Sequence, residues 1–502
     1  MRRIDSDNYI LNNGKRVFTD GPPGTDIPAS WLTAMQEETM AVIEHKARFS
    51  ENAAGQPIFT SNNQMLLAIR EMIKAATFSY SLFEDKDTTG GYGDLPQTIT
   101  DLTALGSSPI SLYIDTDVTL TANLTIPANI DIIIKPGVTV TYSNYTFTIN
   151  SRITAAPNIA WLSGVDTGDF NDQIVFVDWW GLDEDAFDAA FAASRHVRMP
   201  ETSSYTLSAV LATISDNGAT LIGMGSGASV PKITYTPVAG NIIAISGDDG
   251  YFANFELFGP GPAAGGERAL HITGDRNTFE GITASDIAIF TRDNGDGNRY
   301  IRIKGSTISV LAQLQAAGAG GAFYMQDCHV TLDSASANGA ILIDQREVVS
   351  LTNCFLDGAW TGAAGAPHAI HVSNLGSALQ YCRSLVLTGC TLTGFSDYYI
   401  RSEAVGTDDG GGEIQNMRCH VIGGRLEFED KAYANELIKI DNKDAITLDS
   451  VAIRFPDLGG GGAWAGFIDD SGCDADARVT LNNTLVKTKT TFTSNSNASV
   501  VD

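Results

Sequence analysis

From Phe252 onward one six-residue pattern keeps returning: an apolar residue, any residue, a turn former, a small or apolar residue, any residue, and a second apolar residue. Copies stand at 252–257, 279–284, 303–308, 325–330, 351–356, 387–392, 448–453 and 481–486, with a looser one at 417–422. Units this short cannot close a core alone, so they must stack on one another. The third position is nearly always Asn, Asp, Gly or Ser, residues that suit turns and mostly tolerate a left-handed backbone. Each copy therefore reads as two strands meeting at a one-residue bend. Cys328, Cys354 and Cys390 share the fourth position, which reads as an inward stack of reduced, apolar thiols.

A second column precedes most bends, at 270–273, 341–344, 370–373, 400–403 and 438–441. Its first and third members are mostly apolar and its second and fourth mostly polar, the alternation of strands with one face in a core. Three strands per turn, joined by loops of changing length, predict a mainly β chain coiled as a parallel β-helix.

The chain ahead of the repeat divides in two. Residues 1–75 carry Pro22, Pro23 and Pro28, then a Ser30-capped helix with an inner stripe of Leu32, Met35, Thr39, Val42 and Ile43. A second stripe, Met65, Leu66, Ile69, Met72 and Ile73, follows Ser61, and together they suit a small helical collar. Short β-type runs take over from about residue 110, interrupted at 183–194 by a pattern for one short helix with Phe187, Ala190 and Phe191 on a face. The expected boundaries are 1–75, a β-rich lead-in over 76–178, a β-helix body over 179–456 and terminal coils over 457–502.

Composition narrows the function. Lys and Arg number 32 against 59 Asp and Glu, a net charge of -27, which repels nucleic acid and anionic lipid. No apolar run is long enough to insert in a membrane, and no usual signal peptide is visible. Six Cys without CxxC or His-paired spacing argue against a disulfide scaffold or zinc module, and the seven His lack metal-ligand spacing, so no metal or cofactor is expected. The Gly-rich run 223–228 is followed by Pro231 and a β-type stretch and reads as a turn. The acidic run 293–298 lacks the terminal Glu of a calcium loop and reads as a hydrated turn.

Several stretches carry a family resemblance. Trp179-Trp180-Gly181, His196 to Pro200, Tyr205-Thr206-Leu207 and Ala219 to Gly225 resemble the opening of the pectate-lyase-like right-handed β-helix superfamily, whose phage members are tailspikes and tail fibres. Asn13-Gly14-Lys15 through Asp20-Gly21, then Ile27 to Leu32 and Gln36-Glu37-Glu38, look like the amino-terminal region of phage tail-fibre proteins. The resemblance implies a homotrimer made in the host cytoplasm and carried on the virion. Residues 1–75 would attach it to a tail or baseplate protein, and the body would bind a host surface polysaccharide. No catalytic motif of the superfamily is matched, so the fold does not imply lyase activity. Two classes stay open, an enzyme that depolymerises the glycan, as hydrolase or lyase, and a non-enzymatic adhesin or structural fibre.

Cleavage of a glycan commonly uses paired carboxyl groups. Asp344, Glu403 and Asp441, with Ser373 between them, take equivalent outward positions of the second column and are the catalytic candidates. His371, Arg401 and Lys439 form the adjacent outward column and would bind and orient acidic sugars together with Ser373. Against this stands an ordinary solvated charged face.

Overall fold

The computed structural model describes residues 9–12, 15–18, 79–82, 94–104, 106–143, 145–164, 168–237, 239–262, 266–315, 321–334, 339–360, 366–372, 381–402, 417–427, 438–442, 445–454, 468–473 and 478–487. The helices expected within 30–43 and 61–73 lie outside the described residues. Contacts divide the chain into two units, one of residues 1–118, 126–138 and 150–155 and one of the remainder.

In the first unit, strands begin well before residue 110. Tyr9–Asn12 pairs antiparallel with Lys15–Phe18, and the intervening Asn13-Gly14 is the dipeptide that favours tight hairpins. Ser79–Ser81, Ile110–Ile114, Ile130–Ile134 and Ile153–Thr154 form a parallel sheet. Ile110, Leu112 and Ile114 lie in register with Ile130, Ile132 and Ile134, and all six are buried, as period-two alternation requires. A helix unforeseen in sequence, Leu95–Thr103, starts where the Asp94 carboxylate accepts the Gln97 N–H at 3.2 Å and buries Leu95, Ile99 and Leu102.

The second unit is a parallel β-helix. Its helix Glu184–Ala193 forms where expected, capped by the Asp183 carboxylate on the Ala186 N–H at 3.1 Å, with Phe187 and Ala190 buried. Twelve strands stack in one sheet and eighteen in another among the described residues. Through the first sheet runs an unbroken register: Leu221, Phe252, Phe279, Tyr300, Met325, Leu351, Leu387, Val421, Leu448 and Leu481. Two residues further on, Asn254, Gly281, Arg302, Asp327, Asn353, Gly389, Gly423, Ser450 and Asn483 all have φ between 46° and 65°. Each of the first eight donates its N–H to a carbonyl of the next coil, as Asn353 does to Thr388 at 2.8 Å.

This register corrects two repeat copies. The coil read at 303–308 starts at Tyr300 and bends at Arg302, and the looser copy at 417–422 starts at Val421 and bends at Gly423. A cation in the turn position hid the first. The larger sheet combines two strand stacks, because Thr283–Asp293 and Lys304–Leu314 each run 11 residues through both. With the first sheet, that gives the expected three strands per turn.

Repetition also orders the interior. Phe252, Phe279 and Tyr300 stack with ring centroids 5.2 and 4.9 Å apart. Cys328, Cys354 and Cys390 are buried free thiols whose Sγ atoms face carbonyls, Thr352 O at 3.4 Å for Cys354. Bonding to the Cys328 sulfur pushes the Cys354 thiol up to about 12, so it stays protonated. Asn277 and Asn298 form a buried ladder, each side-chain amide donating to a glycine carbonyl of the preceding coil. At the same corner Asp293 and Arg346, both fully buried, pair at 3.1 Å. Asn298 and Tyr300 complete the Asp293 carboxylate at 3.0 and 2.9 Å, so this residue anchors the corner.

Candidate functional site

The second stack of the larger sheet carries one column in register, half-buried from Ala244 to Lys439 except at Leu342, which is buried. Register places Ala244, His271, Arg292, Gln313, Leu342, His371, Arg401, Lys439 and Asp469 on successive coils. Coils rise about 4.7–4.9 Å, so His271 and Lys439 lie about 29 Å apart along the stack. The expected neighbours His371, Arg401 and Lys439 are brought together as consecutive, half-buried members. Their flanking residues point inward: Ile370, Ile400 and Ile438 are buried, and so is Val372.

Around Arg401 a compact polar cluster forms from residues that precede the strands. One Arg401 guanidinium nitrogen lies 3.0 Å from His368 Nε2 and 3.7 Å from the Asp397 carboxylate, and the guanidinium covers the Tyr398 ring at 5.7 Å. His368 meets His371 edge-on at 4.7 Å between centroids. Burial, with His371 and Arg401 beside it, drives the His368 imidazole down to about 3. Asp397 lies 3.8 Å from Nδ1, which invites an ion pair. The ring nevertheless stays neutral: burial and the neighbouring Arg401 disfavour its charged form, the Tyr398 N–H donates to Nδ1 at 3.3 Å, and Asp397 is shared with Arg401.

The carboxylate candidates fare differently. Asp344 is 2% exposed, which corrects its expected outward position. Here the chain enters the strand Gln345–Thr352 with no loop between, so Asp344 is folded into the corner, its N–H on the Leu314 carbonyl at 2.9 Å. Glu403 and Ser373 lie outside the described residues. Asp441 belongs to the strand Ile438–Asn442, but pairing with the preceding coil ends at Arg401 and Lys439. Among the described residues no group of three His, Cys, Asp or Glu is placed to hold a metal ion.

Three coils from His371 along the column lies a second basic group that sequence reasoning did not single out. His271 and Arg292 are direct cross-strand neighbours, and Arg268 stands on the strand of His271. Ala269 and Leu270 are both buried, a break in alternation that turns Arg268 and His271 to the same side. Arg268 donates to Asn241 Oδ1 at 3.3 Å and Arg292 to Gln315 Oε1. No carboxylate among the described residues pairs with any of the three. Burial lowers the Arg268 pKa, Arg292 lowers it further, and His271 is pulled down by burial and by both arginines. The Nε atoms of Arg268 and Arg292 are buried without a partner. Spacing offered a signal here: the column from 270–273 to 341–344 skips two coils, and Thr291-Arg292-Asp293 is the first of them.

No protein-family model matches the sequence, and no curated protein does so either. Among solved structures, a mutant tailspike protein of E. coli bacteriophage HK620 in complex with pentasaccharide is 10% identical, over 90% of this chain and 84% of that one, with a TM-score of 0.39. A double mutant of the same tailspike gives a TM-score of 0.37 at 10% identity with the same shares of each chain covered.

Proposed function

We propose that this protein is a bacteriophage tail spike or tail fibre whose β-helix binds a host surface polysaccharide along the outer face of the larger sheet. The observation that carries the reading is the register column itself: His371, Arg401 and Lys439 recur at the coil rise, a row of half-buried donors on a rigid stack. Such a row matches an extended chain of hydroxyl- and carboxyl-bearing units better than a compact ligand, which a concave site would enclose. The resemblance of the amino-terminal stretch to phage tail fibres supports the companion parts. Residues 1–75 attach the protein to the tail, 76–178 lead into the body and 457–502 close it. Three copies, made in the host cytoplasm, assemble into the mature virion component.

Binding is the primary activity. Cleavage, if present, falls to Glu403 and Asp441, because Asp344 is buried beneath the face. Purified protein incubated with surface polysaccharide extracted from a strain that it adsorbs to tests both. Bound glycan whose chain length falls identifies a depolymerase, and Glu403→Gln then abolishes cleavage while binding persists. Bound glycan of unchanged length identifies an adhesin. Failure to bind the extract, or to block adsorption when premixed with it, overturns the reading.

A further inference from the structure

We propose that the cluster of Arg268, His271 and Arg292 is an anion subsite, and that the glycan read by this face carries carboxylate or phosphate groups. The inference rests on the glycan-binding reading and deepens it.

Charge bookkeeping is the first argument. The chain carries 27 more acidic than basic groups, so a basic side chain meets a carboxylate by default. Several on this unit do, Arg195 with Asp172, Lys232 with Glu256, Arg276 with Asp249 and Arg383 with Glu347, while isolated ones such as Arg299, over the Tyr324 ring, do not. Among the described residues, Arg268, His271 and Arg292 crowd three basic groups together with neutral amide partners, Asn241 and Gln315. The two adjacent acids, Glu267 and Asp293, are both fully buried: Glu267 Oε1 accepts the Ala288 N–H at 3.1 Å, and Asp293 pairs with Arg346. Like charges held together at a half-buried site repel each other, a cost that an arriving anion reverses.

Geometry is the second argument. The three groups share one side of adjacent strands, and two planar guanidinium groups match the fork of a carboxylate or phosphate. His371, Arg401 and Lys439 continue the same column three to five coils further on, about 14–24 Å from Arg292. Two basic stations, separated by Gln313 and by the coil of the buried Leu342, suit a polymer whose charged units recur with neutral units between them.

The test has two arms. Crystals of the full-length protein soaked in selenate are expected to show anomalous density between Arg268 and Arg292, absent in Arg268→Gln/Arg292→Gln. An empty cluster in the wild type overturns the proposal. In the second arm the surface polysaccharide of an adsorbing strain is offered intact, carboxyl-reduced or dephosphorylated, and affinity is read at low and high salt. Loss of about tenfold or more on one of the two treatments, matched by the double variant at unchanged thermal unfolding, supports the proposal and names the anion. Equal binding of all three preparations, insensitive to salt, overturns it while leaving the glycan reading intact. Selenate bound at the cluster with no polysaccharide bound at all overturns the glycan reading and with it this occupant.

Discussion

Two side chains carry opposite electrostatic burdens at the scale of single residues. Arg346 and Asp293 form an ion pair with no exposure, held by Asn298 and Tyr300, and each keeps the other from being an isolated buried charge. Arg346→Met is expected to destabilise the body by about 3–5 kcal/mol in denaturant titrations, with much of that recovered in Arg346→Met/Asp293→Asn. An Arg346→Met protein as stable as the parent would show that the pair is dispensable. His368 works in the other direction. It is neutral in the fold down to about 3, whereas an unfolded histidine gains its proton near 6.5. The unfolded chain therefore binds more protons across that window, so stability is complete above pH 6.5 and falls as the pH drops toward 3. By pH 5 the loss from this group is about 2 kcal/mol. Thermal unfolding of His368→Gln should fall less steeply between pH 6.5 and 5, and identical slopes would refute the assignment.

At the scale of the coil, the bend column sets what the backbone tolerates. Gly389 has φ 65°, and a Cβ there would meet Asn353 Oδ1 at 2.6 Å, whereas Gly423 has φ 62° and open space around it. Gly389→Ala is expected to cost about 1–2 kcal/mol and Gly423→Asn well under that, because Asn accepts the left-handed conformation. Equal costs at both positions would mean that space between coils does not matter. This bend column was legible because its turn residues recur, and so was the row of His371, Arg401 and Lys439. Arg302 was misplaced by three residues because an arginine occupies the turn and Gly305 follows it closely. The burial of Asp344 was hidden because Ile341, Leu342 and Ile343 are all buried, leaving no alternation to count from. His368, Asp397 and Tyr398 stand in connections with no period, so only the folded chain brings them to Arg401.

The whole molecule joins two units of unequal size, and the parallel sheets begin at Ser79. Deleting residues 1–75 is expected to leave a soluble chain with a β-type circular dichroism spectrum that no longer joins the virion; an insoluble product would move the proposed boundary. Light scattering of the full chain should give three times the 53.4 kDa chain mass, and a monomer at micromolar concentration would refute the trimer. The measurement that reaches the central claim most directly is a crystal structure of the protein with an oligosaccharide prepared from the polysaccharide it adsorbs. Sugar density is expected along the outer face of the larger sheet, touching Arg292 at one end and His371 or Arg401 at the other. Ordered sugar on the twelve-strand sheet, with that column bare, would contradict it.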